Sequence, residues 1–93
     1  MTYIRVKWIH NFPDEPVLLY SELDDQRFEV RKVEMFPDGS IGYADRHLSC
    51  SVNDTQLGSE PVPAVEKIAK DPEFEAIEID RDEFESVWNT AIR

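Results

Sequence analysis

The stretch Arg27 to Arg46, RFEVRKVEMFPDGSIGYADR, reads as a β-hairpin, and the rest of the chain is organised around it. Phe28 and Val30 alternate with polar neighbours, Val33 and Met35 do the same, and Ile41 and Tyr43 answer beyond a turn. The turn is Pro37-Asp38-Gly39. Proline presets a negative φ, aspartate bonds back to nearby backbone, and glycine accepts a left-handed conformation at little cost. The apolar residues occupy even positions up to Val30 and odd positions from Val33, with Arg31-Lys32 between them. A one-residue bulge at Arg31-Lys32 would return both apolar sets to one face and bend the strand.

Upstream, Ile4, Val6 and Trp8 alternate with Arg5 and Lys7, predicting a strand over residues 3–9 with one buried face. His10 to Pro16 reads as a loop, and Val17 to Glu22 as a second strand closed by the acidic turn Asp24-Asp25-Gln26. With strands over 27–36 and 41–46, these make an antiparallel meander. Periodicity is lost after Arg46, apart from a short extended piece at Leu48 to Val52. Pro61 and Pro63 introduce a helix over 62–70, which Asp71-Pro72 ends because the residue before proline leaves the α region. Phe74 to Ile79 is either a fifth strand or an extended link. Asp80 with Glu83 marks a helix start, and Phe84, Val87, Trp88, Ala91 and Ile92 form one apolar stripe over 81–92. The expected fold is a single α+β domain over residues 1–93. Its antiparallel sheet has about four to five strands, with two helices packed on one face. The sheet face carrying Trp8, Phe28, Val30 and Tyr43 is the expected seat of the last helix.

Composition narrows the function. Twenty Asp+Glu against ten Lys+Arg give a net charge of −10. That disfavours direct binding to nucleic acid or an anionic membrane, and fits either a cationic partner or simple solubility. The single cysteine, Cys50, excludes an internal disulfide framework and a cysteine-type zinc cluster, which makes the cytoplasm the default compartment. MTYIRVKWIH has no long apolar run, so no signal peptide is expected, and no segment approaches the roughly 20 apolar residues of a membrane span.

Motifs for chemistry are sparse. His47 and Cys50 lie three apart, and with His10 they would supply the groups of a small enzyme. No second cysteine or repeated histidine supports a metal, so neither metal nor cofactor is expected. Asp80-Arg81-Asp82 starts like a calcium loop, but Phe84 stands where the next oxygen ligand belongs, and a helix cap explains Asp80 better. The three glycines are scattered, without a phosphate loop.

The acidic residues cluster. Asp71 to Glu85 holds eight acids (Asp71, Glu73, Glu75, Glu78, Asp80, Asp82, Glu83 and Glu85) against Arg81 alone. Helix-start carboxylates account for three or four of them. The excess suggests a negative surface that steers a cationic partner, with a second patch at Glu22, Asp24 and Asp25. Phe12, Tyr20 and Phe74 are the candidate apolar anchors beside these acids.

YIRVKWIHNFPDEPVLLYSELD, EVRKVEMFPDGSIGYAD and EPVPAVEKIAKDPEFEAIEIDRDEFESVW together resemble a family of short bacterial proteins known as an uncharacterised domain, over nearly the whole chain. The resemblance brings no activity and no catalytic residues. Proteins of this size and charge often serve as immunity proteins beside bacterial toxins, an analogy of type only. The expected function is a non-catalytic acidic binding module, an immunity protein that neutralises a cationic toxin such as a nuclease domain. The alternatives are a nucleic-acid mimic that inhibits a DNA- or RNA-binding protein, and the small enzyme on His10, His47 and Cys50.

Overall fold

The structure, a computed structural model, describes residues 1–47 and 50–93. Its elements run β1 (Thr2–Trp8), β2 (Leu18–Leu23), β3 (Glu29–Met35), β4 (Ile41–Asp45), β5 (Cys50–Val52), α1 (Val65–Ile68), β6 (Phe74–Ile79) and α2 (Arg81–Ala91). Six strands form one antiparallel sheet in the order β5-β4-β3-β2-β1-β6, so the count exceeds the four to five expected. The extra members are the two edges. Both were ambiguous because neither shows a clean alternation: β5 is three residues long, and FEAIEI carries apolar residues in both phases. Leu48 and Ser49, the start of the expected extended piece, lie outside the described residues.

The hairpin turn forms as its residues dictate. Phe36 donates its N–H to the Ser40 carbonyl at 3.0 Å, Gly39 takes φ +87°, and Asp38 accepts the N–H and hydroxyl of Ser40. The bulge falls one residue earlier than expected. Glu22 pairs with Arg31 and Leu23 with Glu29, which leaves Val30 as the inserted residue.

Strand alternation and pairing assign the two faces of the sheet. One carries Tyr3, Tyr20, Val33 and Tyr43, and α2 lies on it through Phe84 and Trp88. The Phe84 ring is 5.4 Å from that of Tyr3, and Trp88 meets Tyr43 edge-on at 5.5 Å. Asp80 caps α2 by accepting the Glu83 N–H at 2.8 Å. Trp8 lies on the other face. Its side chain shares a cavity with Ile4, Val6, Leu19 and Phe74, so Trp8 does not seat α2 as expected. Strand β1 is therefore covered on both sides, by α2 over Tyr3 and by the 57–70 segment over Ile4.

The helices also divide between the faces. Ile68 of α1 reaches the Ile4 and Val6 side, opposite α2, which corrects the expectation of two helices on one face. Only Val65–Ile68 is helical, because Pro61 and Pro63 hold the preceding chain extended. That extended segment is strapped to the sheet by Arg27 at φ +68°: Nε donates to the Val62 carbonyl at 2.7 Å and a terminal nitrogen to that of Pro63 at 2.8 Å. Gly58 donates its N–H to the Glu29 carboxylate at 2.6 Å. Thr55 is fully buried against Gly42, where a Cβ would meet the Thr55 hydroxyl at 2.1 Å and the Val52 carbonyl at 2.9 Å.

Two substitutions test this arrangement. Trp88→Ala empties the centre of the α2 contact and is expected to lower stability by about 3–5 kcal/mol in urea denaturation. Gly42→Ala forces the Thr55 loop away from β4 and is expected to cost about 1–3 kcal/mol by the same measurement.

Candidate functional site

The residues expected to bind a partner separate into buried and exposed sets. Glu22 is buried under α2, where its two carboxylate oxygens accept from Arg31 at 2.7 and 3.0 Å. Arg31 also pairs with Glu85, and its guanidinium stacks 4.9 Å from the Phe84 ring centre and 5.1 Å from that of Trp88. Tyr20 is a core residue beneath the same helix. Neither Glu22 nor Tyr20 is therefore presented to a partner: the alternation that places Val33 under α2 places their side chains there too. Asp24 binds the N–H groups of Gln26 and Phe28 and the guanidinium of Arg46, leaving Asp25 as the exposed acid of that turn.

The Asp71–Glu85 cluster divides in the same way. Asp71 holds the turn into β6, Asp80 caps α2, Glu83 pairs with Arg5 at 3.5 Å, and Glu85 with Arg31. Glu73, Glu75, Glu78 and Asp82 are exposed. The first three lie on or beside β6, the outermost strand next to β1. Register places Glu75 opposite Lys7 on the α2 side and Glu78 opposite Ile4 on the cavity side, so carboxylates fan out to both faces of one edge. Ile77 lies between them, 44% exposed. The same alternation keeps these acids from forming one evenly spaced, phosphate-like row.

An aromatic group adjoins this edge. Trp8 pairs with Phe74 in the ladder, and their ring centres are 5.9 Å apart. The His10 ring lies 4.4 Å from Trp8 and stacks on Phe12 at 5.5 Å. Nδ1 of His10 accepts the Phe12 N–H, so its Nε2 donates to the Pro16 carbonyl at 2.8 Å, which fixes the neutral tautomer. Phe12 is 58% exposed, and Phe74 is half-buried. Behind them a cavity of about 310 Å³ runs beneath Val62 and Ile68. The Trp8 indole nitrogen is buried and has no hydrogen-bond partner among the described residues.

The polar end of this cavity is closed on itself. Ser21 donates to Glu29 at 3.0 Å, Lys32 lies 3.5 Å from the same carboxylate, and Thr55 donates to Glu34 at 2.8 Å. With Gly58 also bound to Glu29, these carboxylates are engaged in holding the 55–58 segment and are not poised toward an open space.

His10, His47 and Cys50 do not converge. His10 follows β1 and His47 follows β4, two strands that run in opposite directions, so the histidines lie at opposite ends of the sheet. Strands β2 and β3 intervene, a separation of about 14 Å at ~4.8 Å per step. Cys50 stands in β5 opposite Asp45. Among the described residues no group of three or more His, Cys, Asp or Glu side chains could hold a metal ion. No helix among them is long and apolar enough to cross a membrane.

A family model covers residues 2–93, the whole of the sheet and both helices. The chain belongs to DUF6881, a domain of unknown function. Comparisons with curated proteins and with solved structures gave no match. Membership in the family brings no activity with it, and its extent agrees with the sheet, which needs residue 2 at one end and α2 at the other.

What sequence reasoning missed was the neighbourhood of the acids rather than the acids themselves. Phe74 reads as a free anchor until β6 is seen to pair with β1, some seventy residues away in the chain, which stacks it on Trp8. The F-P-D-E-P loop with His10 before it was the only available signal for the aromatic group.

Glu22 carries a pH dependence of known sign. Burial pushes its carboxyl up, but the Arg31 hydrogen bonds and charge, helped by the Tyr3 hydroxyl, outweigh this and leave it below the usual range. The stability it contributes is complete above the ordinary glutamate value near ~4.3, and is lost as pH falls through the depressed folded value. The difference in urea midpoint between the native chain and Glu22→Gln should accordingly be large at neutral pH and shrink as the pH falls below the ordinary glutamate range. A difference that holds constant would show that Glu22 titrates normally.

Proposed function

We propose that this domain is a non-catalytic binding module that recognises a cationic protein through the β6 edge. The observation that carries this reading is the exposure of Glu73, Glu75 and Glu78 along one outermost strand, beside the aromatic group of Trp8, Phe12 and Phe74. Acids engaged within the fold do not steer a partner, and these three make no ion pair within the described residues. Clustered carboxylates raise the encounter rate with a basic protein, and a neighbouring aromatic patch supplies the desolvated contact that charge alone does not.

The narrower form of the proposal is an inhibitor of a basic toxin domain acting in the cytoplasm, of the kind called an immunity protein. A nuclease is the favoured target class, because its polyanion site is itself cationic and an acidic edge can cover it. Size, charge and the dispersal of His10, His47 and Cys50 support a binding role over an enzymatic one. The nucleic-acid mimic ranks second, since Glu75 and Glu78 point to opposite faces and Ile77 interrupts the strand.

The test is capture of a partner from extract of the source cells by the immobilised domain. A basic protein retained at about 50 mM salt should be released at about 500 mM, where exposed charges are screened within a few ångströms. The triple variant E73K/E75K/E78K should fail to retain it while keeping its unfolding free energy within about 0.5 kcal/mol of the native chain. Retention that ignores both salt and charge reversal would refute a cationic partner at this edge.

A further inference from the structure

The backbone of β6 carries information that its side chains do not. In an antiparallel ladder, successive residues turn their N–H and C=O groups alternately toward one neighbour and the other. The Trp8 N–H donates to the Val17 carbonyl on the β2 side, and the Ile9 N–H to the Glu73 carbonyl on the β6 side. Continuing that alternation, Tyr3, Arg5 and Lys7 bond across to Ile79, Ile77 and Glu75. Phe74, Ala76 and Glu78 therefore turn their backbone groups outward, away from the sheet. The Phe74 N–H is already taken by the Asp71 carbonyl at 3.0 Å. The outward groups of Ala76 and Glu78 and the Phe74 carbonyl are left on an edge that pairs with no other strand among the described residues.

We infer that β6 accepts an extended, basic segment of the partner as a seventh strand, with main-chain bonds to Ala76 and Glu78 and cationic side chains set against Glu75 and Glu78. This rests on the proposed binding role and specifies its mode. Strand addition obtains affinity from the backbone ladder and selectivity from side chains at alternate positions. Glu75 meets the added strand on the α2 side and Glu78 on the cavity side, so a segment with Lys or Arg on both faces matches the edge. Ile77 lies two residues from Glu75 on one face and Phe74 four from Glu78 on the other, which calls for apolar residues at the matching positions of the added strand.

A second copy of this chain is the other conceivable strand. Between Asp71 and Asp80 the chain has five acids and no base, so pairing two β6 edges would bring ten carboxylates together. Like charges on adjoining strands are destabilising, and edge charge of this kind is a common device against self-association. The same charge that repels a copy attracts a basic segment.

The test uses the full chain and a fluorescent ten-residue peptide alternating lysine pairs with valine, read by anisotropy at low salt. A second peptide has identical side chains but is N-methylated at every other residue, which removes the donors of one edge and leaves its charge intact. The proposal expects the native chain to bind the first peptide at least tenfold more tightly than the methylated one, with Ala76→Pro also losing at least tenfold. Ala76 is the position for proline because its N–H points outward, so pairing with β1 is retained; near-UV circular dichroism together with urea denaturation confirms the fold. Equal binding of the two peptides would overturn strand addition, even if A76P proved unstable. If both peptides bind equally and E75K/E78K abolishes binding, the acidic surface stands and the strand mode falls. If neither peptide binds while a basic protein is still captured in a salt-dependent way, the mode likewise falls and the broader reading survives. Dimerisation of the native chain at micromolar concentration would replace the partner strand by a second copy.

Discussion

One inserted residue in β3 sets the chemistry of both faces of the sheet. Were Val30 part of a regular, unbulged strand, Glu29 and Arg31 would lie on the same face, and Glu29 and Lys32, three apart, on opposite faces. With the bulge, Glu29 joins Lys32 and Glu34 on the cavity side, while Arg31 joins Val33 and Met35 under α2. Each face thereby acquires a charged group tied to its cover. Arg31 draws α2 down through Glu85, and Glu29 holds the 55–58 segment through Gly58. Half-buried ion pairs of this kind contribute little net stability compared with apolar packing, but they penalise misplacement strongly. Their effect is to fix which segment covers which face.

The same insertion shows where the sequence was legible and where it was not. The phase change between Val30 and Val33 announced a bulge, and the Pro37-Asp38-Gly39 turn and the Phe84/Trp88 stripe announced their elements, because each is a local pattern. What the bulge accomplishes was hidden. The expected gain was apolar residues gathered on one face; the observed one is a carboxylate and an ammonium brought together at 3.5 Å. The side of the sheet that Trp8 faces is hidden for a related reason. Alternation separates two faces but does not say which of them a distant helix will choose. The apolar stripes of the helices are likewise visible in the sequence, whereas the faces they cross are not.

The candidate site was legible as composition and illegible as a surface. Of the twenty acids, the fold engages many in caps, turns and ion pairs. Sequence proximity grouped Glu22 with Asp25, yet one is enclosed by Arg31 and the other open to solvent. Only the position of β6 at the end of the sheet distinguishes Glu75 and Glu78 from acids of the same type a few residues further on. That position follows from the chain's return across the sheet to β1, a long-range pairing that no local window reveals.

The segment over the cavity has a different character from the helix over the other face. Helix α2 is seated by two buried aromatic rings, whereas residues 57–63 are tethered mainly by polar bonds from Arg27 and Glu29, with Val62 half-buried over an incompletely filled space. Opening such a strap exposes little apolar surface, so it requires only a fraction of the free energy of global unfolding. Amide exchange at Gly58 and Val62 should then proceed through a local excursion that leaves the ladder of β1 to β4 protected. The two sides of one sheet would thus belong to separate cooperative units, one opening often and the other only when the whole domain unfolds.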